Sequence, residues 1–514
     1  MAYHPHPQRV LASRAHPLHH GAATRLLEAA ASAALAPHTL MQRAGAAVAS
    51  LARALAPHAR TVWIACGKGN NGGDGLEAAA LLQRLGYGVR VSLLARPDEL
   101  PADARHSWQH ARDAGVPFIE TPPRLESRDL CIDALLGIGL RAAPDAHASD
   151  PRLLQWLGHL RASEAAVLSV DVPSGLLADS GQWAAGLAGR QPAAGARHTL
   201  SLLTLHPGLF TAQGRDAAGE VWFEDLGVDA AGQAPCAVLG GAAPAAPRMH
   251  ASHKGSFGDV AVIGGEGLAA RGMGMTGAAI LAALAALHGG AGRVLLAPLD
   301  ESVSALSAWP ELMLRRPDTL DLAQATLVCG CGGGQAIGPH LSRVLEQATR
   351  LVLDADALNA VAADTALQAL LRARQARANH ATVLTPHPLE AARLLGCSSA
   401  QVQSDRLGAA AGLVERFGCT VVLKGSGSLI AAPGQTPHIN PTGNARLATA
   451  GTGDVLAGLI GAHLAALHAP TQEAVHEAAS RACWQHGAVA DHWPPDRALT
   501  ARALAQALGS GPLG

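Results

Sequence analysis

The feature that most limits how this chain can fold is a recurring unit: a short apolar strand that runs directly into a glycine-rich, acid-bearing loop and then into an alanine-rich helical stretch. Its first instance is Thr61-Val62-Trp63-Ile64-Ala65-Cys66, followed by Gly67-Lys68-Gly69-Asn70-Asn71-Gly72-Gly73-Asp74-Gly75 and by a helical pattern from Leu76 to Leu85. A strand apolar on both faces must be covered on both faces, and strands joined through helices run parallel. The unit therefore predicts α/β architecture, with a parallel sheet between helical layers. Ligands of such sheets bind where loops leave the carboxyl ends of the strands. Glycines there let backbone N–H groups turn toward phosphate oxygens, and the helix N-terminus behind them adds partial positive charge. The loop is neither a Walker sequence nor GxGxxG in the dinucleotide register.

The unit returns along the whole chain. A strand within Asp129 to Leu136 ends in Asp133-Ala134-Leu135-Leu136-Gly137-Ile138-Gly139-Leu140, and Ala166 to Val170 leads into Asp171-Val172-Pro173-Ser174-Gly175. Later strands are Asp259 to Ile263, Arg293 to Ala297, Ala325 to Cys329, Leu351 to Leu353, Thr382 to Leu384 and Thr420 to Leu423. The last three feed Asp354-Ala355-Asp356-Ala357-Leu358-Asn359, Thr385-Pro386-His387-Pro388 and Lys424-Gly425-Ser426-Gly427-Ser428. Gly451-Thr452-Gly453-Asp454 then precedes a long apolar helical run. Any one such loop reads equally as an ordinary turn, since Asp and Gly are turn and cap residues. Their repetition at strand ends is what points to a site.

With 514 residues the chain needs more than one core. Residues 1–21, rich in His and Pro, read as a mobile terminus. Residues 22–226 and 248–510 read as two domains, and the Ala/Gly/Pro-rich segment 227–247 as their connection. A formal charge of -1 argues against nucleic-acid or membrane-surface binding. Eight cysteines without CxxC or zinc-ligand spacing suit reduced thiols, and no apolar run spans a bilayer, so a soluble cytoplasmic protein is expected.

GKGNNGGDG, DALLGIGL and SVDVPSG, in that order and spacing, resemble the N-terminal domain of the NAD(P)H-hydrate repair enzymes, a hydrate epimerase with a Rossmann-like three-layer sandwich. The likeness covers about Leu26 to Leu226. It implies a damaged substrate, the hydrate of NADH or NADPH, whose R and S forms are interconverted. Asn70, Asn71, Gly72, Gly73, Asp74, Gly137, Ile138, Gly139, Leu140 and Asp171 would then hold the substrate. Asn71, Asp133 and Ser174 would look like potassium ligands, and Asp171 would be the acid/base, because opening a carbinolamine needs proton transfer near pH 7. Ile138 stands where the family more often has Thr, and His206 where it often has Lys.

HKGSFG, VLDADALN, LTPHPLE, QSDRLGAA, VVLKGSGS and ATAGTGDVLAG, over about Arg248 to Leu508, resemble the ribokinase-like ADP- or ATP-dependent NAD(P)H-hydrate dehydratases. By that likeness Lys424, Gly425, Ser426, Gly427, Ser428 and Gly453 would contact ADP or ATP with its Mg²⁺. Ala279, Gly332, His387 and Asp454 would line the hydrate site. Hydroxide is a poor leaving group, so the hydroxyl is first phosphorylated: Asp454 would deprotonate it while the amides of Gly451 to Gly453 stabilise the transferred phosphoryl group. The expectation is a bifunctional enzyme, by analogy a homo-oligomer, acting on small molecules. A vitamin-precursor kinase carrying a non-catalytic nucleotide-binding domain is the alternative.

Overall fold

Alternating residues of each central strand enter different cores, as side chains on opposite faces of a pleated strand must. Along β3 (Thr61–Cys66) of the computed structural model, Val62, Ile64 and Cys66 pack with Val89, Ile132 and Leu168. Trp63 and Ala65 pack instead with Cys131, Trp156 and Val167. Helices therefore cover both faces of the sheet, giving three layers. The structure describes residues 3–140, 150–187, 194–242 and 249–510. It divides into two units, Met1–Leu11 with His16–Ala237 and Ala12–Ala15 with Val238–Gly514.

In the first unit the sheet order is β1 (Gln8–Arg9), β8 (Glu220–Glu224), β7 (Arg197–Leu202), β6 (Ala166–Val170), β5 (Leu130–Ala134), β3 and β4 (Gly88–Leu93). All neighbours from β8 to β4 pair in parallel; only β1 runs antiparallel, on β8. The chain moves outward from β3 to β4 and then returns to the other side of β3 with β5. The crevice between the carboxyl ends of β3 and β5 is thus a topological switch point, where such sheets bind ligands.

The start of the chain differs from expectation. Within residues 1–21, Gln8 and Arg9 pair with Phe223 and Trp222, and β2 (His16–Leu18) leads into helix Gly21–Ala34. Unpaired edge groups of β8 accept β1, which the His/Pro-rich composition did not disclose.

The second unit repeats the logic. From β10 (Asp259–Gly264), β11 (Arg293–Pro298) and β12 (Met313–Leu314) lie to one side, and β13 (Thr326–Cys329), β14 (Arg350–Leu353), β15 (Ala381–Leu384) and β16 (Thr420–Leu423) to the other, all parallel. Antiparallel β17 (Leu429–Ala431) and β18 (His438–Ile439) follow, and Val238 and Leu239 of β9 (Ala237–Leu239) pair with β18. Part of the expected connection 227–247 is therefore strand, and its residues 243–247 lie outside the described part. Helices Thr276–His288 and Thr452–Ala465 press together closely enough that a Cβ on Gly458 would meet the Ala282 carbonyl at 2.0 Å. The alanine- and glycine-rich composition serves that approach.

Two loops begin their helices earlier than their glycine content suggested. Helix Asn70–Arg84 starts inside the GKGNNGGDG stretch. Its glycines are needed for room: a Cβ on Gly72 would meet the Gly67 carbonyl at 2.0 Å, and one on Gly75 the Ala134 methyl at 2.6 Å. Helix Thr452–Ala465 is capped by Gly451, at φ 90°, so Asp454 lies in its first turn and is not the capping residue.

Candidate active sites

In the first unit, the loops after β3, β5 and β6 and the helix Gly21–Ala34 enclose a cavity of about 400 Å³. Asn70, Asn71, Asp74, Gly137, Ile138, Gly139, Leu140 and Asp171 line it. Gly72 and Gly73 are buried beneath it, a Cβ on Gly73 colliding with Met41 Sδ at 2.6 Å, so they shape the wall without forming its surface. Three loops converge at Gly137, where a Cβ would lie 3.2 Å from Asp171 Oδ2 and 3.3 Å from Asn71 Cβ.

Asp171 follows β6 with φ 69°, a left-handed conformation that non-glycine residues adopt rarely and that concentrates at functional sites. Its backbone N–H donates to Leu200 O (2.7 Å), and its Oδ2 accepts from the Ile138 N–H (3.2 Å). The carboxylate is thereby fixed at the cavity wall. Its other oxygen, Oδ1, faces His206 Nε2 at 3.8 Å, an ion-pair rather than a hydrogen-bond distance. His206 is completely buried, and its Nδ1 donates to the His19 carbonyl at 3.1 Å. That bond places the second ring nitrogen toward Asp171.

The cavity also gathers acids. Burial, reinforced by Asp171 and Glu28, pushes Asp74 well above the usual carboxylate range. Burial likewise raises Glu28, against the hydrogen bond from Asn70 Nδ2. Glu28 belongs to no motif; only the placement of helix Gly21–Ala34 brings it in. Behind the wall, Asp133 accepts from Ser174 Oγ (2.5 Å) and Ser174 N (2.9 Å), and burial raises it despite these bonds. Both side-chain polar atoms of Asn71 are buried without a hydrogen-bond partner. An orphaned amide oxygen, a buried carboxylate and a buried hydroxyl are oxygen donors of the kind a hard cation takes.

In the second unit the first turn of helix Thr452–Ala465 meets the loops after β13, β14 and β16. Lys424 Nζ donates to Asp354 Oδ1 at 2.6 Å and lies 3.9 Å from Glu390. Burial alone would lower this lysine, but the two carboxylates outweigh it and hold the ammonium above its usual value. The same ammonium stands 3.5 Å from where a Cβ on Gly453 would be, so the Gly451–Gly453 turn and Lys424 share one space. Burial, with Asp354 next, pushes Asp454 up to about 7, while Cys331 and Lys424 pull it down. A carboxylate tuned to neutrality beside helix-terminal amides and a cation can exchange a proton while an anion is held. Asp354 is therefore more than a loop-ordering residue: it orients the lysine and raises the aspartate.

Supporting residues, two of them outside the sequence motifs, explain how the loops hold. His486, kept neutral by burial with its value lowered to about 4, donates from Nε2 to the Thr452 carbonyl at 2.9 Å. Glu266, 1% exposed, accepts from the Gln335 and Ala336 N–H groups and from Arg271, tying down the loop after β13. The buried Arg406 of the QSDRLGAA stretch donates to the carbonyls of Leu423 and Lys424. Its guanidinium would crowd a Cβ on Gly425 at 2.9 Å, so it moulds the turn that carries Ser426, Gly427 and Ser428.

Other expected residues are engaged in local contacts. His387 caps helix Pro388–Leu395: Nδ1 accepts from the Leu389 and Glu390 N–H groups, and Nε2 pairs with Glu390 at 3.1 Å. Ala279 is fully buried, its methyl facing Gly265, and Gly332 is buried at φ 58° against Met275 and Ala278. Asp356 accepts from the Gly334 N–H (2.8 Å) and orders that loop. The thiols of Cys329 and Cys331 are buried and pushed up by burial, and all eight cysteines are free. Among the described residues no helix is long and apolar enough to cross a membrane.

Comparison with known proteins covers both units. The family model described as NAD(P)H-hydrate dehydratase matches residues 260–510, and that described as YjeF-related protein N-terminus matches residues 37–208. The bifunctional NAD(P)H-hydrate repair enzyme of Escherichia coli K12 is 38% identical over 483 residues, covering 90% of this chain and 87% of that relative. The ADP-dependent (S)-NAD(P)H-hydrate dehydratase of Neisseria meningitidis serogroup B is 43% identical over 252 residues, 48% of this chain and 80% of its own length. A solved ADP/ATP-dependent NAD(P)H-hydrate dehydratase from Bacillus subtilis, co-crystallised with ATP and Mg²⁺, is 26% identical, covers 51% of this chain and 92% of its own, and has a TM-score of 0.41.

Proposed function

Because the chain belongs to the bifunctional NAD(P)H-hydrate repair enzymes, we propose that its first unit interconverts the R and S hydrates of NADH and NADPH. Its second unit then dehydrates the S form at the expense of ADP or ATP. The observation that carries the second activity is Asp454, raised to about 7 within reach of a glycine turn and Lys424. Asp454 takes the proton of the hydrate hydroxyl as that oxygen attacks the terminal phosphoryl group. The Gly451–Gly453 amides and Lys424 stabilise the charge passing to the nucleotide leaving group. Phosphate then departs with the C–O electron pair as the ring-nitrogen lone pair forms a C=N bond, and loss of a proton from the adjacent ring carbon gives the C=C bond of the reduced nucleotide. Net, ADP and hydrate give AMP, phosphate and the reduced nucleotide.

Mg²⁺ would come bound to the nucleotide phosphates and neutralise part of their charge. The Asp354 carboxylate is an oxygen donor that suits it, whereas the buried Cys331 thiol beside it does not. In the first unit Asp171 exchanges the proton that opens and recloses the carbinolamine, with His206 behind it. Asn71, Asp133 and Ser174 would hold K⁺, which supplies positive charge against a buried carboxylate; the orphaned Asn71 oxygen supports that assignment. Eight free thiols suit a reducing cytoplasmic setting, and we expect a homo-oligomer.

The test supplies mixed hydrate epimers with ADP and follows reduced-nicotinamide absorbance. Complete recovery supports both activities. Recovery that stalls at the S fraction overturns the epimerase, and formation of a stable phosphorylated vitamin precursor, with no reduced cofactor recovered, favours the vitamin-precursor kinase. A pH series sharpens the role of Asp454. Its basic form is the active one, so dehydration kcat rises with pH through about 7 and levels above it. Asp354→Asn removes a charge that raises Asp454 and shifts that rise to lower pH. An unchanged rise would show that another group titrates.

A further inference from the structure

A second polar cluster lies in the first unit, outside the motifs of either half. We propose that His38, His106 and His110 bind a first-row divalent metal ion of the zinc class, with Glu77 orienting the rings. One nitrogen from each of the three imidazoles lies within 4.8 Å of the others. His106 and His110 stand four residues apart on helix Ala102–Asp113 and so share a face, with ring centroids 4.3 Å apart. His38 precedes helix Thr39–Leu55, and its ring centroid is 4.2 Å from that of His106.

Glu77, on helix Asn70–Arg84, is buried, and its ion-pair partners are imidazoles: His110 Nδ1 at 3.2 Å and His38 Nε2 at 3.4 Å. A carboxylate only accepts, so a proton on either nitrogen points at Glu77 and leaves the opposite nitrogen of that ring its lone pair; His38 Nε2 also lies 3.4 Å from the Ser107 hydroxyl. For His38 the opposite nitrogen is Nδ1, which is buried, has no hydrogen-bond partner, and has Asp103 Oδ1 3.8 Å away. A carboxylate fixing the tautomer of a histidine whose other nitrogen is free is how protein metal sites orient imidazole ligands. Nitrogen donors around a zinc-class ion at about 2.0–2.1 Å stand closer together than 4.8 Å. The exposed His106 has the freedom to close that gap.

Such an ion would join the start of helix Thr39–Leu55 to helix Ala102–Asp113. Met41 and Asp103 of these helices line the cavity, so the ion would stiffen its wall.

Equilibrium dialysis of the full chain against Zn²⁺ tests this, comparing the wild type with His106→Ala and with His106→Ala/His110→Ala. His106 is exposed, so its single variant folds, which circular dichroism verifies. The expected result is that one tight equivalent per chain is lost in the double variant and weakened at least about tenfold in the single one. Glu77→Gln keeps the stoichiometry and weakens binding roughly 10- to 100-fold. Thermal unfolding of the wild type moves up with Zn²⁺, and that of the double variant moves less. Wild-type stoichiometry and affinity in the double variant would assign the metal to histidines elsewhere and overturn the site, as would a wild type that binds none.

Discussion

Replacing Asp454 by Asn is expected to abolish recovery of reduced nicotinamide from the S hydrate while leaving the interconversion of epimers intact. Asn keeps the volume and one oxygen but cannot take a proton, and loss of a positioned general base costs about 10²- to 10⁴-fold. Nucleotide affinity should change little, because Lys424 and the Gly451–Gly453 turn remain. The variant should also be no less stable above pH 7. Asp454 titrates higher in the folded chain, at about 7, than an unfolded carboxyl does. As pH rises from the unfolded value through the folded one, ionisation therefore favours the unfolded state, and Asn removes that destabilisation. Steady-state kinetics on purified S hydrate, epimerisation measured separately, and a melting curve at pH 8 check all three points. Dehydration at the wild-type rate would exclude Asp454 as the base; a folded variant defective in both reactions would show that the two activities are coupled.

Much of this arrangement was legible from local wording. Strands ending in Asp133, Asp171, Asp354 and Lys424 announced parallel sheets and their ligand edges, because apolar strands joined through helices admit few other solutions. The glycines announced crowded loops but not their reason. Gly72 and Gly75 serve close packing inside a helix already begun at Asn70. What the motifs could not disclose is reach across the sheet. Glu28 meets the cavity from a helix more than forty residues before its neighbour Asn70 in sequence. Glu266 fixes a loop 69 residues away. His486 holds the helix that carries Asp454 from 34 residues beyond Thr452. Asp354 shows the same reach: only its pairing with Lys424, 70 residues later, gives it a part in tuning the site.

Asp171→Asn is expected to remove enzymatic epimerisation by a similar ~10²- to 10⁴-fold and to spare dehydration. The choice of Asn matters because Asp171 sits at φ 69°, a conformation that Asn tolerates far better than Ala does. The Asn oxygen can still accept from the Ile138 N–H, so the loop over the cavity keeps its anchor. An alanine variant would mix lost chemistry with backbone strain. With mixed epimers and ADP, the Asn variant should recover reduced cofactor rapidly up to the S fraction and then stop. Adding the Asp454→Asn chain, whose first unit is intact, should restart the reaction, since the epimers can diffuse between molecules. Complete recovery by Asp171→Asn alone at the wild-type rate would move the acid/base role elsewhere, and His206, 3.8 Å from the missing carboxylate oxygen, would be the next group to test.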